Sequence, residues 1–200
     1  MRKGKKTMRL WTVQPYNVYE TIEKEGSYRC KPELSVLLDC SQFFNAYDWI
    51  SKQMKKRVGN PPKGVEYPVW AWHSVEGKNK RPDMRKRYMK VFEKSVLLEI
   101  EIPDTQVLLT DHTNWHIILN DAINYKANYM DDISDEQWDI EVEKEEEYYQ
   151  SLSYEEKIQY KEKGWEKVIY TQAEALPPYV QATFWELEKT QIKKVWILEP

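Results

Sequence analysis

Alternation of apolar and polar positions predicts several β-strands. Residues 96–102 place an apolar side chain at every even position and glutamate at 99 and 101, which is the period of a strand with one buried face. Residues 67–73 are apolar at nearly every position and predict a central strand buried on both faces. Shorter runs predict four more strands, at residues 10–13, 107–111, 180–187 and 193–198.

A helical period occupies the segments between these strands. Residues 16–26 place Val18 and Ile22 on one face and end at Gly26, a common helix stop. Residues 42–58 predict a second helix, capped by Asp39 or Ser41. Its apolar stripe comprises Phe43, Ala46, Tyr47, Ile50 and Met54, with Phe44 and Val58 beside it. A third helix is predicted to begin at Asp111 or Thr113, with Trp115, Ile118, Leu119, Ala122 and Ile123 facing inward.

Residues 131–163 differ in character from the rest of the chain. They carry 13 acidic and 4 basic residues, and their sparse apolar positions predict one or two surface helices. A segment of this charge cannot be buried at acceptable cost. We therefore expect an acidic helical insertion within a single domain that spans residues 1–200. Because strands and helices intermix without strict alternation, the fold class is α+β, with a mixed or antiparallel sheet packed by helices.

Composition places the chain among globular proteins. Hydrophobic residues make up 41% and charged residues 32% of the sequence. No apolar run approaches the roughly 20 residues that a membrane helix needs, and the basic start is followed by no apolar stretch of the kind found in a secretory signal. The expected location is the cytoplasm, where Cys30 and Cys40 are expected to be reduced thiols.

Charge is divided unevenly between the two parts of the chain. Residues 1–90 carry 20 basic and 9 acidic side chains, whereas residues 91–200 carry 10 basic and 24 acidic ones. Either the two parts attract each other within the fold, or the basic part binds an anion such as nucleic acid. A basic stripe could combine the N-terminal stretch, the helix face at 52–57 and the run at 78–90.

The first candidate site follows the predicted central strand. Its members are Trp70, Trp72, His73, Arg81, Asp83 and Arg85. Arginine recognises phosphate through two parallel hydrogen bonds, and a tryptophan face can stack a base or a nicotinamide ring. Asp83 could hold one guanidinium in place. The alternative is that the tryptophans belong to the core and that residues 78–87 form a solvated turn.

The second candidate site contains Asp111, Trp115 and His116, together with His112 and Asn120. Two histidines four residues apart share a helix face, so a metal or acid–base site is conceivable. The sequence HTNWH lacks the glutamate of the zinc-hydrolase motif. We therefore expect Asp111 to cap the helix, His116 to be hydrogen-bonded, and no metal to bind. Phosphate-loop, Rossmann and GxSxG motifs are absent from the sequence.

Several consecutive motifs carry a resemblance to a known family. They are MRLWTVQPYNVYETI, AYDWISKQMKKRVGNPPKGVEYPVWAWHSVEGKNKRPDMR and EIEIPDTQVLLTDHTNWHIILN. Over about residues 8–125 the chain resembles the bacterial family called domain of unknown function 3841. This resemblance implies a small bacterial or phage-borne intracellular protein, and it implies no activity, substrate or catalytic residue.

The order of elements is also similar to the ADP-ribosyltransferase fold, in which three strands line an NAD cleft. That similarity implies NAD binding, with Thr12 and either Trp70 or Trp72 in the cleft and Glu186 as the catalytic carboxylate. Thr12 stands where many such enzymes have His or Arg, and a tryptophan stands where tyrosine is common. Fold alone does not establish function.

Three functional hypotheses follow. The chain could be a nucleotide- or NAD-handling protein, such as a transferase, that uses the aromatic and arginine cleft. It could be a nucleic-acid-binding module that uses its basic half. It could also be a non-catalytic protein-interaction domain whose acidic helices form the interface.

Overall fold

The computed structural model describes residues 6–30, 43–171 and 175–200. Cys40 and the expected caps Asp39 and Ser41 lie outside these residues, as does most of the basic N-terminal stretch. The elements in chain order are β1 (Thr7–Pro15), α1 (Tyr16–Glu25), β2 (Ser27–Arg29), α2 (Phe44–Arg57), β3 (Val69–Ser74), β4 (Ser95–Pro103), β5 (Leu108–Asp111), α3 (His112–Leu119), α4 (Asp135–Ser151), α5 (Tyr154–Trp165), β6 (Ile169–Tyr170), β7 (Val180–Phe184), β8 (Glu186–Glu188) and β9 (Ile192–Leu198).

Seven strands form one sheet in the order β6-β5-β7-β3-β1-β4-β9, and β2 pairs with β8 in a second, small sheet. All the strand pairs are antiparallel. The α+β class is thereby confirmed. The strand predicted to be central, β3, is the fourth of the seven.

One face of the large sheet packs against α1 and the small sheet. The even positions of β4 that the sequence marked as buried point to this face, together with Leu10 of β1 and Phe184 of β7. Val18 and Ile22 are the buried residues of α1. The helix ends as predicted, because Gly26 has a φ of 84° and its N–H donates to the carbonyl of Ile22. We call this the α1 face.

The opposite face is covered by two different structures. Helices α2 and α3 cover its β5, β7 and β3 part, where Ile50 and Met54 pack with Trp115 and Ile118. Segment 75–94 approaches the β1, β4 and β9 part, where Asn79 donates to the carbonyl of Arg9 at 3.1 Å. We call this side of the sheet the α2 face. The candidate site lies on the half of this face that segment 75–94 approaches, not on the half that the helices cover.

Two sequence predictions were wrong in detail. Residues 180–187 form two strands rather than one, because the chain leaves the large sheet at Trp185, whose Nε1 donates to the carbonyl of Gly59 at 2.8 Å. Helix α3 ends at Leu119, so Ala122 and Ile123 lie beyond it. The chain turns at Asp121, whose φ of 53° is left-handed, and Ala122 is exposed.

The acidic segment forms α4 and α5, as the sequence indicated, and it pairs with the basic face of α2. Lys52 lies 3.5 Å from Glu162, and Glu166, directly after α5, lies 3.3 Å from Lys56 and 3.6 Å from Arg57. The charge imbalance is therefore partly neutralised within the fold. These pairs are exposed, so each contributes little to stability.

No helix in the described parts of the chain is both long enough and apolar enough to cross a membrane.

The expectation that residues 131–163 are an insertion leads to a first prediction. The flanks of this segment lie close together, since the side chain of Asn124 donates to the carbonyl of Gly164 at 3.0 Å. Replacing residues 131–163 by a short Gly/Ser linker should therefore leave cooperative unfolding intact, measured by tryptophan fluorescence in urea. We expect lower stability, because the ion pair between Lys161 and Asp121 is lost.

A point variant provides the contrasting control. Trp165 is 2% exposed and its ring packs edge-on against Trp49 at 5.7 Å. Trp165→Ala should cost about 3–5 kcal/mol. A linker variant that loses its cooperative transition would show that the acidic segment belongs to the core.

Candidate functional site: a cleft between an arginine-rich segment and a sheet edge

A cleft of about 640 Å³ opens between residues 81–85 and the C-terminal half of β9. The guanidinium carbon of Arg81 lies 5.0 Å from the centre of the Trp196 ring, a distance at which a cation is attracted by an aromatic face. Leu97 is only 1% exposed and contributes apolar lining, along with Leu198. The cleft thus combines the Arg81 guanidinium, which contacts the Trp196 ring, with apolar side chains.

A second arginine lines the cleft in a fixed orientation. The Nε and Nη2 atoms of Arg85 each donate to an oxygen of Asp83 at 2.8 Å, and the backbone N–H of Arg85 donates to the same carboxylate at 3.1 Å. These hydrogen bonds hold the pKa of Asp83 below its usual range. The side chain of Arg85 is nevertheless 89% exposed. Asp83 therefore orients Arg85 and leaves the remaining guanidinium donors open to solvent.

Arg81 keeps its donors available as well. It contacts the ring of Trp196 and donates no hydrogen bond to any residue that the structure describes. A guanidinium carries five N–H donors in a planar fork. The three charged residues expected here, Arg81, Asp83 and Arg85, are thus brought together in one cleft.

The aromatic wall is Trp196 rather than Trp72, which corrects the expectation from sequence. The ring of Trp72 lies 4.7 Å from His112 of α3. Sequence reasoning missed Trp196 because the residue is more than a hundred positions from Arg81. Alternation along β9 predicts that Trp196 lies on one face of the sheet. Only its pairing with Leu97 shows that this face is the α2 face.

Trp70 and Trp115 belong to the packing beneath α2. Their ring centres are 4.9 Å apart, and Tyr47 of α2 lies 6.1 Å from Trp70 and 6.0 Å from Trp115. Trp115 is buried, and the Nε1 atom of Trp70 is buried without a partner among the described residues. The core interpretation of Trp70 is therefore the one that the geometry favours.

Thr12 and His73 lie apart from the cleft. Thr12 is 1% exposed and its hydroxyl donates to the carbonyl of Trp70 at 2.7 Å. His73 borders a shallow hollow beside Arg9 and Asn79, and burial lowers the pKa of its imidazole. Thr12 is thus occupied by hydrogen bonding within the sheet, and His73 is expected to be neutral at pH 7.

Asp111 caps α3. Its Oδ1 accepts from the backbone N–H groups of Thr113 at 2.8 Å and Asn114 at 3.3 Å, and its Oδ2 accepts from the Asn114 side chain at 2.8 Å. His116 is exposed and its Nδ1 lies 3.0 Å from the carbonyl oxygen of His112. These positions agree with a capping role for Asp111.

The rings of the two histidines of α3, His112 and His116, contact each other edge to face, with ring centres 5.0 Å apart and an interplanar angle of 82°. Burial, and then the charge of His116, lower the pKa of His112, while Asp111 opposes this effect. In the described parts of the chain no three His, Cys, Asp or Glu side chains come close enough to hold a metal.

Glu186 lies at a different place. Its carboxylate accepts from Arg29 at 3.0 and 3.3 Å in the small sheet, and it borders a separate hollow near Trp185. In the β3–β7 ladder Val69 pairs with Phe184 and Trp72 pairs with Gln181. Glu186 comes two residues after Phe184, so it lies beyond the Val69 end of this ladder, away from Trp72. The structure does not bring Glu186 to the arginine cleft or to Trp72.

The capping geometry generates a prediction. Asp111→Ala should lower the free energy of unfolding by about 1–2 kcal/mol, because the first N–H groups of α3 lose their acceptor. Asp111→Ser should retain most of the stability, and the exposed neighbour variant Thr113→Ala should change it little. Urea denaturation measures all three. Unchanged stability in Asp111→Ala would contradict the capping role.

The ion pair of Glu186 generates another prediction. Burial raises the pKa of this carboxyl, but hydrogen bonds from Ser27 and Arg29 and the charge of Arg29 outweigh burial, and the net pKa is lowered. The resulting stability is present above the unfolded-state pKa of about 4.3 and is lost as pH falls through the folded-state pKa. Glu186→Gln should therefore melt below wild type at pH 7, and the difference should shrink toward pH 2.

Arg29→Ala supplies the matched background for this experiment. In that background Glu186→Gln should change the melting temperature much less at pH 7. An equal loss in both backgrounds would contradict a stabilising pair between Arg29 and Glu186.

Comparison with known proteins adds one finding. The family model described as domain of unknown function DUF3841 matches residues 9–193. No curated protein and no solved structure matches the chain, so the similarity to ADP-ribosyltransferases has no support. The family match extends beyond the motifs near residues 8–125 and runs through the acidic helices. Because the match covers most of the sequence, the chain belongs to the DUF3841 family.

Proposed function

We propose that the cleft between residues 81–85 and β9 binds a nucleotide or a related small anion, with NAD included in that class. The observation that carries this proposal is the placement of two guanidinium groups with open donors, Arg81 and Arg85, beside the ring of Trp196. The proposal includes a cytoplasmic location, where such ligands are abundant. It concerns binding and assigns no reaction.

Phosphate recognition is the role that the two arginines fit best. Guanidinium N–H groups bind two phosphate oxygens in a plane, whereas lysine acts as a point charge. Asp83 fixes Arg85 through both oxygens, and Trp196 positions Arg81. Less side-chain freedom is then lost when the ligand binds, which favours affinity.

The apolar part of the cleft suits a ring. Leu97 and Leu198 line it together with Trp196, and a base or nicotinamide could pack there while its phosphates meet the arginines. The volume of about 640 Å³ falls within the range of roughly 300–1,000 Å³ found for small-molecule sites.

The charge around the cleft favours an anion. Residues 76–94 carry 8 basic and 3 acidic side chains, and an unbalanced positive surface attracts anionic ligands. Nucleic acid is the second candidate for the same reason. The basic face of α2 is a weaker candidate for nucleic acid, because Lys52, Lys56 and Arg57 already pair with Glu162 and Glu166.

A thermal-shift experiment tests the proposal. ATP, NAD, inorganic phosphate and a short single-stranded oligonucleotide are added separately, since a ligand that binds the folded state raises the melting temperature. We expect ATP or NAD to stabilise the protein more than phosphate does. Arg81→Ala and Arg85→Ala should each lower the affinity for that ligand by on the order of ten- to a hundredfold.

Arg87→Ala is the matched control, because Arg87 is exposed in the same segment and does not line the cleft. It should leave both the ligand-free melting temperature and the shift nearly unchanged. A strong fall in the ligand-free melting temperature of Arg85→Ala would make Arg85 a structural residue. Stabilisation by the oligonucleotide alone would favour nucleic acid, and no shift with any probe would contradict the proposal.

A further inference from the structure

Strand β9 forms one edge of the large sheet. It pairs with β4 on one side, and no other strand of the described residues pairs with it on the other side. In an antiparallel ladder every second residue of an edge strand directs its N–H and C=O groups away from the sheet. Every second one of the seven residues of β9 therefore presents a backbone donor and a backbone acceptor at this edge.

The two faces of this edge differ in chemistry. Trp196 pairs with Leu97 on the α2 face, where the arginine segment lies. Val195 and Ile197 point to the α1 face, and they are 36% and 55% exposed. An added strand would therefore find cations on one side of the sheet and apolar side chains on the other.

Charges protect only the first half of β9 from pairing. Lys193 lies 3.7 Å from Glu101 and Lys194 lies 3.4 Å from Glu99, and edge lysines commonly prevent unwanted strand addition. Residues 195–198 carry no charged or proline residue. This half is also the one that borders the cleft of Arg81 and Arg85.

The residues on the two faces of β9 indicate which side chains an added strand would carry. Side chains on the α2 face would meet a segment with 8 basic and 3 acidic residues, which favours acidic side chains there. Side chains on the α1 face would cover Val195 and Ile197, which favours apolar ones. Because side chains alternate along a strand, the preferred sequence alternates acidic and apolar residues.

We propose that the C-terminal half of β9 binds an extended segment of a partner protein in which acidic and apolar residues alternate, by addition of a strand to the sheet edge. Backbone hydrogen bonds supply affinity and the two faces supply specificity, as in other cases of strand addition. This proposal does not depend on a nucleotide occupying the cleft.

The test uses a fluorescein-labelled peptide, acetyl-(Glu-Val)4-amide, and the full chain in a fluorescence anisotropy titration. A (Lys-Val)4 peptide of the same length is the charge control. We expect the Glu peptide to bind and the Lys peptide to bind at least about tenfold more weakly. Equal binding of the two peptides, or none of the Glu peptide, would overturn the proposal.

Substitutions at Val195 separate this proposal from nucleotide binding, because Val195 does not line the cleft. Val195→Glu places a charged side chain among the peptide's apolar residues on the α1 face and should raise the peptide's dissociation constant about tenfold or more. Val195→Thr keeps a β-branched neutral side chain and should change it little. Both variants should retain the thermal shift with ATP if the cleft binds nucleotide.

Sedimentation velocity tests whether a second copy of this chain binds the β9 edge instead. If wild type is a dimer that Val195→Glu dissociates while the Glu peptide does not bind, the edge is an interface between copies and the proposal is wrong. A wild-type monomer that binds the Glu peptide, with binding lost in Val195→Glu, supports it.

Discussion

The continuous pairing of β1 with β4 is the constraint on which the rest of the structure depends. Nine consecutive residue pairs join the strands, from Thr7 opposite Pro103 to Pro15 opposite Ser95. A slip of one residue would move every buried side chain of β4 to the wrong face. This register fixes which side chains face α1, and through β3 and β9 it also fixes which side chains meet α2 and the arginine segment.

The candidate cleft is a consequence of that register. On the α2 face, helices cover β5, β7 and β3, while segment 75–94 approaches β1, β4 and β9. Leu97 pairs with Trp196 there, and Arg81 of the segment lies over the Trp196 ring. The same edge therefore offers a ring, two guanidinium groups and a free strand border. The two ligands that we propose for this edge, a small anion and an extended segment of alternating acidic and apolar residues, would contact different atoms of it.

The two halves of the α2 face also differ in how far their positive charge is balanced. Glu162 of α5 and Glu166, directly after α5, pair with the basic side of α2 and partly neutralise a surface that the sequence made a candidate for nucleic-acid binding. Segment 76–94 has no comparable set of acidic partners within it, with 3 acidic against 8 basic residues. The unbalanced positive charge thus lies next to β9, away from the helices.

The sequence by itself determined the local elements, because their apolar period depends only on neighbouring residues. It gave the α+β class, the strands around residues 69–74 and 95–103, the stop at Gly26 and the cap at Asp111. It also grouped Arg81, Asp83 and Arg85. Tertiary structure alone decided that Trp196 rather than Trp72 joins them, that Glu186 pairs with Arg29, and that residues 180–187 divide between two sheets. Those outcomes depend on strand register and on contacts between residues far apart in the chain, which a local pattern does not encode.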